Sequence, residues 1–238
     1  VFLPARRFAF VDLDDDLYVS LNRNVLQGIT PQDLTWAFTT TRGGYYMPLT
    51  WLSLQLDATL SGYSQTQIDE RLAGGGAGPL PPATLFHIDN ALQHALATLF
   101  LFLFLRRLTK RGWPAFFVAL LWAVHPLRVE SVAWVTERKD TLAELFGFLA
   151  LWLYAWHREK RTWWRMGLVT AASLASLLAK PLFLTMPLLL ILVDHWATAW
   201  KLRGREAAAL LPEKLPLAAI AATFVGLTIW AQRSIGAT

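Results

Sequence analysis

The chain has 238 residues, of which 55% are hydrophobic and 16% are charged, and its mean hydropathy is +0.37. This composition is too apolar for an ordinary soluble domain. The net charge of +5 comes from basic residues confined to short clusters between apolar stretches, which argues against a nucleic-acid partner. The absence of cysteine excludes disulfides, thiolate metal sites and a thiol nucleophile.

The first third of the chain divides into two regions. Residues 1–11 are typical of the tail of a first transmembrane helix, so we expect the chain to be a piece of a longer protein. Residues 12–83 are rich in carboxylates and predict an acidic, non-cytoplasmic loop with short amphipathic helices. In this loop, Thr30 before Pro31 predicts a helix start. Leucines at helical spacing in residues 48–60 predict an amphipathic helix on the membrane face, and residues 74–82 predict a flexible connection.

Residues 84–238 predict a transmembrane helical bundle. The apolar segments cover residues 85–105, 113–124, 142–156, 166–179, 182–196 and 215–230. Lysine and arginine cluster in every second connection, at residues 106–111, 158–165 and 201–205. Because short cytoplasmic loops are enriched in these residues, the pattern predicts that the three clusters are cytoplasmic and the acidic loop lies on the opposite side.

A run of carboxylates follows directly after residues 1–11. It contains Asp12, Asp14, Asp15 and Asp16. Carboxylates this close raise one another's pKa or recruit a cation. The run is therefore either a solvated charge run or a site for a general base, with a divalent cation at Asp14 and Asp15 as a further option.

Two more groups of polar residues are candidates for a site. Residues 125–140 carry His125, Glu130, Glu137, Arg138, Lys139 and Asp140 at the non-cytoplasmic side, where ionisable groups commonly face a cavity or a ligand. If residues from 129 onward are helical, Glu130 and Glu137 share a face; the alternative is a turn with internal ion pairs. His87, Asn90 and His94 align on one helix face, which favours hydrogen bonds between helices over a metal site.

These motifs together resemble the membrane region of the transmembrane and tetratricopeptide-repeat O-mannosyltransferase-like proteins, a branch of the GT-C glycosyltransferases. The resemblance rests on residues 10–15, on His87, Asn90 and His94, and on residues 125–140, with residues 48–53 and 179–181 as further similarities. Residues 125–140 are the specific part of the resemblance, whereas an acidic pair after the first helix is shared by GT-C enzymes generally.

The resemblance implies an all-α, polytopic transmembrane helical bundle of the GT-C type with an outward-facing amphipathic loop region. It implies an integral protein of the bacterial inner membrane, with the acidic loop on the periplasmic side. Its expected partners are membrane lipid, a polyprenyl-phosphate sugar donor, and a protein acceptor or a larger membrane complex. The implied reaction transfers the sugar to a non-cytoplasmic acceptor, such as a protein Ser or Thr hydroxyl.

The resemblance also assigns roles to residues. By motif position, Asp14 or Asp15 would be the catalytic carboxylate, and Glu130 would orient the acceptor or the sugar. The cations on the outward side would bind the leaving phosphate, namely Arg138, Lys139 and Lys180. Supporting positions would be His87, Asn90, His94, His125 and Asp140.

Two other function classes remain open. Members of the resembled family continue into further membrane helices and a tetratricopeptide-repeat domain, and we find no such repeat in residues 1–238. A non-catalytic GT-C-like membrane subunit that stabilises a larger complex is therefore the alternative to an enzyme. A transporter is the third class, and it is disfavoured because the pairs of broken helices expected of transporters are not apparent.

Overall fold

The computed structural model describes residues 2–11, 13–198 and 204–234. These residues form helices, turns and irregular segments, and no strand occurs among them, which confirms the all-α fold class. Three residues of the predicted clusters, Asp12, Lys201 and Arg203, lie outside the described residues.

The region before residue 84 consists of short helices. They are a 3₁₀ turn at Leu3–Arg7, a π-helical turn at Asp16–Ser20, α1 (Arg23–Leu26), α2 (Pro31–Thr39), a 3₁₀ turn at Arg42–Gly44, α3 (Pro48–Ser61) and α4 (Gln65–Ala73). The predicted start of α2 is confirmed, because the Thr30 hydroxyl accepts a hydrogen bond from the Asp33 amide at 3.2 Å. The assignment of residues 1–11 to a first membrane helix stays a prediction.

Helix α3 confirms the helix predicted at residues 48–60 and has two different faces. Trp51 and Leu54 are buried in the core of this region, whereas Leu56 and Leu60 are exposed. Part of the leucine stripe that predicted the helix, at Leu56 and Leu60, thus lies on its exposed face. The placement of this face on a membrane surface stays a prediction.

The glycine- and proline-rich stretch after α4 folds around one side chain. Arg71 is buried, and its guanidinium donates to the carbonyl oxygens of Gly76, Gly78 and Ser20. These contacts tie the predicted flexible connection to the π-helical turn at Asp16–Ser20.

The remaining helices include one for each predicted apolar segment and two short ones, Arg128–Ala133 and Gly204–Ala208, that lie outside those segments. They are α5 (Thr84–Thr109), α6 (Gly112–Ala123), α7 (Arg128–Ala133), α8 (Arg138–Glu159), α9 (Trp163–Ala179), α10 (Met186–Ala197), α11 (Gly204–Ala208) and α12 (Leu215–Ser234), with 3₁₀ turns at Val135–Glu137, Pro181–Phe183 and Pro212–Lys214. Within the described ranges, two helical stretches are long and apolar enough to cross a membrane, Thr84–Thr109 and Pro212–Arg233. A polytopic bundle therefore stays a prediction.

Side-chain contacts define two ends of the bundle. At one end, Arg107 after the apolar part of α5 pairs with Glu159 at the end of α8, with Nε and Oε1 2.8 Å apart. Arg161, in the following connection, pairs with Glu213 in the 3₁₀ turn directly before α12. The first two predicted basic clusters therefore lie at the same end, which we call the inner end.

The opposite end, which we call the outer end, brings together the acidic region and three later connections. Thr136, before α8, donates to Asp15. The Thr50 hydroxyl donates to the Ala179 carbonyl at 2.8 Å, and the amide of Gln232 near the end of α12 donates to the Gly44 carbonyl at 2.9 Å. Residues far apart in sequence thus meet at this end.

We expect the two ends to be on opposite sides of a membrane. Because the chain has no cysteine, single cysteines placed at the exposed positions Lys160 and Glu70 can be labelled without background. An impermeant thiol reagent added to sealed cells should label the cysteine at Glu70 and should label the one at Lys160 only after the membrane is opened. Equal labelling of both in sealed cells would contradict the predicted topology.

Candidate active site

Tyr18 lies at the outer end among charged and aromatic side chains. Its ring is buried, lies 5.0 Å from the Trp51 ring between centroids, and has the Lys139 ammonium 4.9 Å above its centroid. Burial raises the pKa of the Tyr18 phenol far above its ordinary value, and the nearby negative charges of Asp14 and Glu137 raise it further. Tyr18 is therefore neutral at physiological pH and surrounded by charged groups.

The charged groups around Tyr18 come from three separate segments of the chain. Lys139 donates to Glu137 with Nζ and Oε1 2.8 Å apart, Lys180 pairs with Asp140, and the Lys180 Nζ lies 3.9 Å from Glu137 Oε2. Burial raises the pKa of Glu137 against the lowering effect of Lys139. We call this group the Tyr18 cluster; its members are Asp14, Tyr18, Glu137, Lys139, Asp140 and Lys180.

The two predicted catalytic carboxylates differ in environment. Asp15 is 1% exposed and accepts hydrogen bonds from the Val11 amide at 2.8 Å and from the Thr136 amide and hydroxyl at 3.0 and 2.6 Å. Both of its oxygens are thus engaged in joining the N-terminal segment to Thr136. Asp14 is exposed, and no hydrogen bond or ion pair holds its side chain within the described part of the chain. Of the two carboxylates, Asp14 is therefore the one whose oxygens a ligand can reach, whereas those of Asp15 are occupied by the protein.

The predicted contact between Arg138 and a donor phosphate requires correction. Arg138 is 0% exposed, and all five N–H groups of its guanidinium have acceptors in the protein. These acceptors are the side chains of Ser53, Asp57, Asp89 and Asn90 and the carbonyl of Phe86. Arg138 therefore joins α3, α5 and the start of α8 and has no donor left for a ligand.

The other two predicted phosphate ligands also differ from each other. The Lys139 side chain is 8% exposed, and its ammonium donates to Glu137 and to the Thr136 carbonyl while lying over Tyr18. The Lys180 side chain is 22% exposed and lies beside Asp140 and Glu137. Of the three predicted cations, Lys180 thus has the most exposed side chain. A ligand can contact it where it lies, without drawing it out of the protein interior.

Arg42 is a cation at the outer end that sequence reasoning did not select. Its Nε donates to the Leu17 carbonyl at 3.0 Å, and the next residue, Gly43, lies so close to Tyr18 that an added Cβ would come within 2.9 Å of the phenol oxygen. Partial burial lowers the pKa of Arg42. No described carboxylate pairs with its guanidinium, whose terminal N–H groups remain available.

Glu130 and His125 do not join the Tyr18 cluster. The Glu130 carboxylate is exposed on α7 and has no hydrogen bond or ion pair among the described residues. The His125 ring accepts the Leu127 amide at 3.2 Å and so stabilises a local turn. Of the two alternatives for this segment, the continuous helix through Glu130 and Glu137 does not form, because α7 ends at Ala133 and Trp134 has an extended backbone.

The three supporting residues of α5 lie beside the cluster and not in it. Asn90 accepts from Arg138 and donates to the Trp134 carbonyl at 3.0 Å, and the His94 ring contacts the Ala123 carbonyl at 3.0 Å. These contacts confirm the predicted hydrogen bonds between helices. His87 lies near the backbone of Phe8 and Ala133, and with His94 it lines an apolar groove of about 560 Å³ on α5.

The suggested cation at Asp14 and Asp15 gains no support from the geometry. Within the described ranges, no three His, Asp or Glu side chains converge in a way that could hold a metal ion. Asp15 already accepts three hydrogen bonds from the protein, so it would have to give up contacts to bind a metal.

Comparison with known proteins gives a distant relationship. The chain is similar to protein O-mannosyl-transferases. It is 33% identical over 120 residues to Protein O-mannosyl-transferase Tmtc1 of Drosophila melanogaster and 31% identical over 128 residues to Protein O-mannosyl-transferase TMTC2 of Mus musculus. These matches cover 50% and 51% of the chain but only 14% and 13% of the relatives.

A third relative matches a shorter stretch more closely. Protein O-mannosyl-transferase TMTC1 of Homo sapiens is 41% identical over 70 residues, which are 29% of the chain and 8% of that protein. No protein-family model and no solved structure matches the chain.

Proposed function

We propose that the protein is a membrane glycosyltransferase that transfers a sugar, with mannose as the first candidate, from a polyprenyl-phosphate carrier to an acceptor hydroxyl outside the cytoplasm. The observation that carries this proposal is the meeting of residues 14–18, 136–140 and 179–180 around Tyr18, where the exposed carboxylate of Asp14 has no hydrogen bond or ion pair among the described residues. The similarity to protein O-mannosyl-transferases supports glycosyl transfer in general.

In this proposal Asp14 acts as the general base. A hydroxyl is a weak nucleophile at neutral pH, so a carboxylate that accepts its proton assists its attack on the anomeric carbon of the sugar. The bond from the anomeric carbon to the carrier phosphate breaks as the new glycosidic bond forms, and its electron pair leaves with the phosphate. The free oxygens of Asp14 suit this role better than those of Asp15, which are occupied.

The leaving phosphate is stabilised by the accessible cations of the outer end. Lys180 and Arg42 take the role first predicted for Arg138, because both retain N–H donors that are not buried in the scaffold. Charge-assisted hydrogen bonds to a phosphate are worth about 1.5–3 kcal/mol each. The ion pairs of Lys180 with Asp140 and Glu137 hold its ammonium in place before the donor arrives.

Arg42 provides a test of phosphate recognition. Replacing Arg42 with glutamine should raise the KM for the lipid-linked donor by about tenfold to a hundredfold, the range that one charge-assisted hydrogen bond implies. The matched control is Arg23→Gln, since Arg23 lies in the same acidic region and forms an exposed pair with Asp69. Unchanged donor kinetics in Arg42→Gln would remove Arg42 from the proposed site.

The proposal itself is tested by a transfer assay on the full-length protein reconstituted in lipid. Polyprenyl-phosphate mannose and nucleotide-linked mannose are offered separately with a Ser- and Thr-containing peptide acceptor. We expect labelled sugar to reach the peptide only from the lipid-linked donor. Transfer from the nucleotide-linked donor alone would contradict the proposed lipid-linked donor. The absence of transfer from a panel of lipid-linked sugars would favour the alternative of a non-catalytic subunit.

A further inference from the structure

A second site candidate lies at the inner end, away from the Tyr18 cluster. A groove of about 700 Å³ runs between α9 and the start of α12. Its apolar part is lined by Met166, Gly167, Ala171 and Leu174 of α9 and by Pro216 of α12, and its polar end by His157, Arg161 and Trp163. The groove thus changes from apolar to polar along its length.

The position of the groove along the bundle matches a membrane boundary. Its polar end lies beside Glu213, in the first turn of the stretch Pro212–Arg233 that is long and apolar enough to span a membrane. Leu174 is seven residues beyond Gly167 on α9, about 10 Å deeper at 1.5 Å per residue. Trp163, beside the polar end, is 88% exposed, as is usual for tryptophans at the headgroup level.

The polar end carries excess positive charge. Asp194 and Glu213 are the two carboxylates of its buried network, and three cations, Arg158, Arg161 and Lys214, pair with them. The sum is one net positive charge with His157 neutral. The carboxylate of Glu213 is already engaged by Arg161, Lys214 and His157 and does not present a free negative charge to the groove.

Arg161 and the start of α9 both retain hydrogen-bond donors. Arg161 donates one N–H to Glu213 and one to Asp194, and its side chain is 35% exposed, so three of its five N–H groups remain for a ligand. Thr162, at the N-cap of the 17-residue helix α9, makes no capping bond. The amides of the first turn are therefore uncapped by this side chain, at the helix end that favours anions.

We propose that this groove binds an anionic phospholipid, with the phosphate between Arg161 and the first turn of α9 and one acyl chain over Gly167 and Ala171. A phospholipid of this kind is anionic at one end and apolar along the rest. The groove has the matching order, with its positive end at the membrane boundary and its apolar part deeper. The proposal does not depend on glycosyl transfer at the outer end.

Gly167 allows a test that leaves the charged network intact. Gly167 lines the groove, and a Cβ added there would meet no atom within 4 Å, so the side chain introduced by Gly167→Phe begins in open space and occupies the groove. Gly226→Phe in α12 is the matched control, because a Cβ there also meets nothing within 4 Å and Gly226 does not line the groove. Arg161→Gln removes the proposed phosphate ligand, and Lys160→Gln removes an exposed neighbouring charge as its control.

Binding is measured by native mass spectrometry of the full-length protein titrated with phosphatidylglycerol or phosphatidylcholine of identical acyl chains. We expect the wild type to bind phosphatidylglycerol about tenfold more tightly than phosphatidylcholine. Gly167→Phe should weaken this binding and Arg161→Gln should abolish the preference, while Gly226→Phe and Lys160→Gln retain both. Equal binding of the two lipids by the wild type, or an unchanged preference and affinity in Gly167→Phe, would overturn the proposal.

Discussion

Replacing Arg138 with glutamine should destabilise the protein by about 3–5 kcal/mol, the usual cost of removing one partner from a buried ion pair. The guanidinium contacts Asp57 and Asp89, and the Asp57 side chain is 6% exposed, so the substitution would leave a buried carboxylate without its cation. Thermal or denaturant unfolding in detergent measures the effect. Arg23→Gln, which breaks an exposed pair, should cost less than about 1 kcal/mol.

The stability lost in Arg138→Gln should depend on pH, and the electrostatics of Asp57 give the direction. Burial raises the pKa of Asp57, and Arg138 opposes that rise. Without Arg138 the folded-state pKa of Asp57 rises further, so the variant gains stability as pH falls and Asp57 takes up a proton. Asp57→Asn in the Arg138→Gln background should recover part of the loss. A variant with wild-type stability but weakened donor binding would instead restore the phosphate role first predicted for Arg138.

Replacing Asp14 with asparagine should lower kcat by about a hundredfold to ten-thousandfold, the range that general bases contribute, with little change in the KM for the donor. The substitution keeps the side-chain volume and removes the group that accepts the proton. Because Asp14 is exposed and unpaired among the described residues, the fold should be unaffected. Single-turnover transfer by the full-length protein measures the chemical step.

The neighbouring carboxylates are internal controls for Asp14. Asp16→Asn should retain most of the activity, whereas Asp15→Asn should mainly reduce stability, since an amide group in place of one Asp15 oxygen would face a donor from Val11 or Thr136. Normal turnover in Asp14→Asn would contradict the proposed base. Loss of turnover in Asp15→Asn with unchanged stability would shift the role to Asp15.

Local sequence signals predicted much of the helical structure. Thr30 before Pro31 marks the observed start of α2, and the apolar segment at residues 85–105 corresponds to α5 (Thr84–Thr109). Such signals depend on residues within a few turns of one another. The start of α8 was less predictable: the apolar pattern begins at residue 142, whereas the helix begins at Arg138, whose charge is balanced by other helices.

The geometry of the candidate site could not be predicted from hydropathy and residue spacing, because it depends on contacts between distant segments. The acceptors of Arg138 lie 81 residues away at Asp57 and 49 residues away at Asp89, so its burial was not visible from its own segment. Likewise, Asp15 and Asp14 are adjacent in sequence, but only Asp15 meets Thr136, 121 residues later. The motifs selected segments that meet in the fold, whereas the environment of each residue in them depends on partners far away in the sequence.

A structure of the full-length protein with a non-transferable phosphonate analogue of a polyprenyl-phosphate sugar tests the central claim most directly. The account predicts the phosphonate within hydrogen-bonding distance of Lys180 and Arg42 and the sugar beside Asp14, with Arg138 still enclosed by Asp57 and Asp89. A headgroup bound away from the Tyr18 cluster, with Asp14 remote from the sugar, would contradict it.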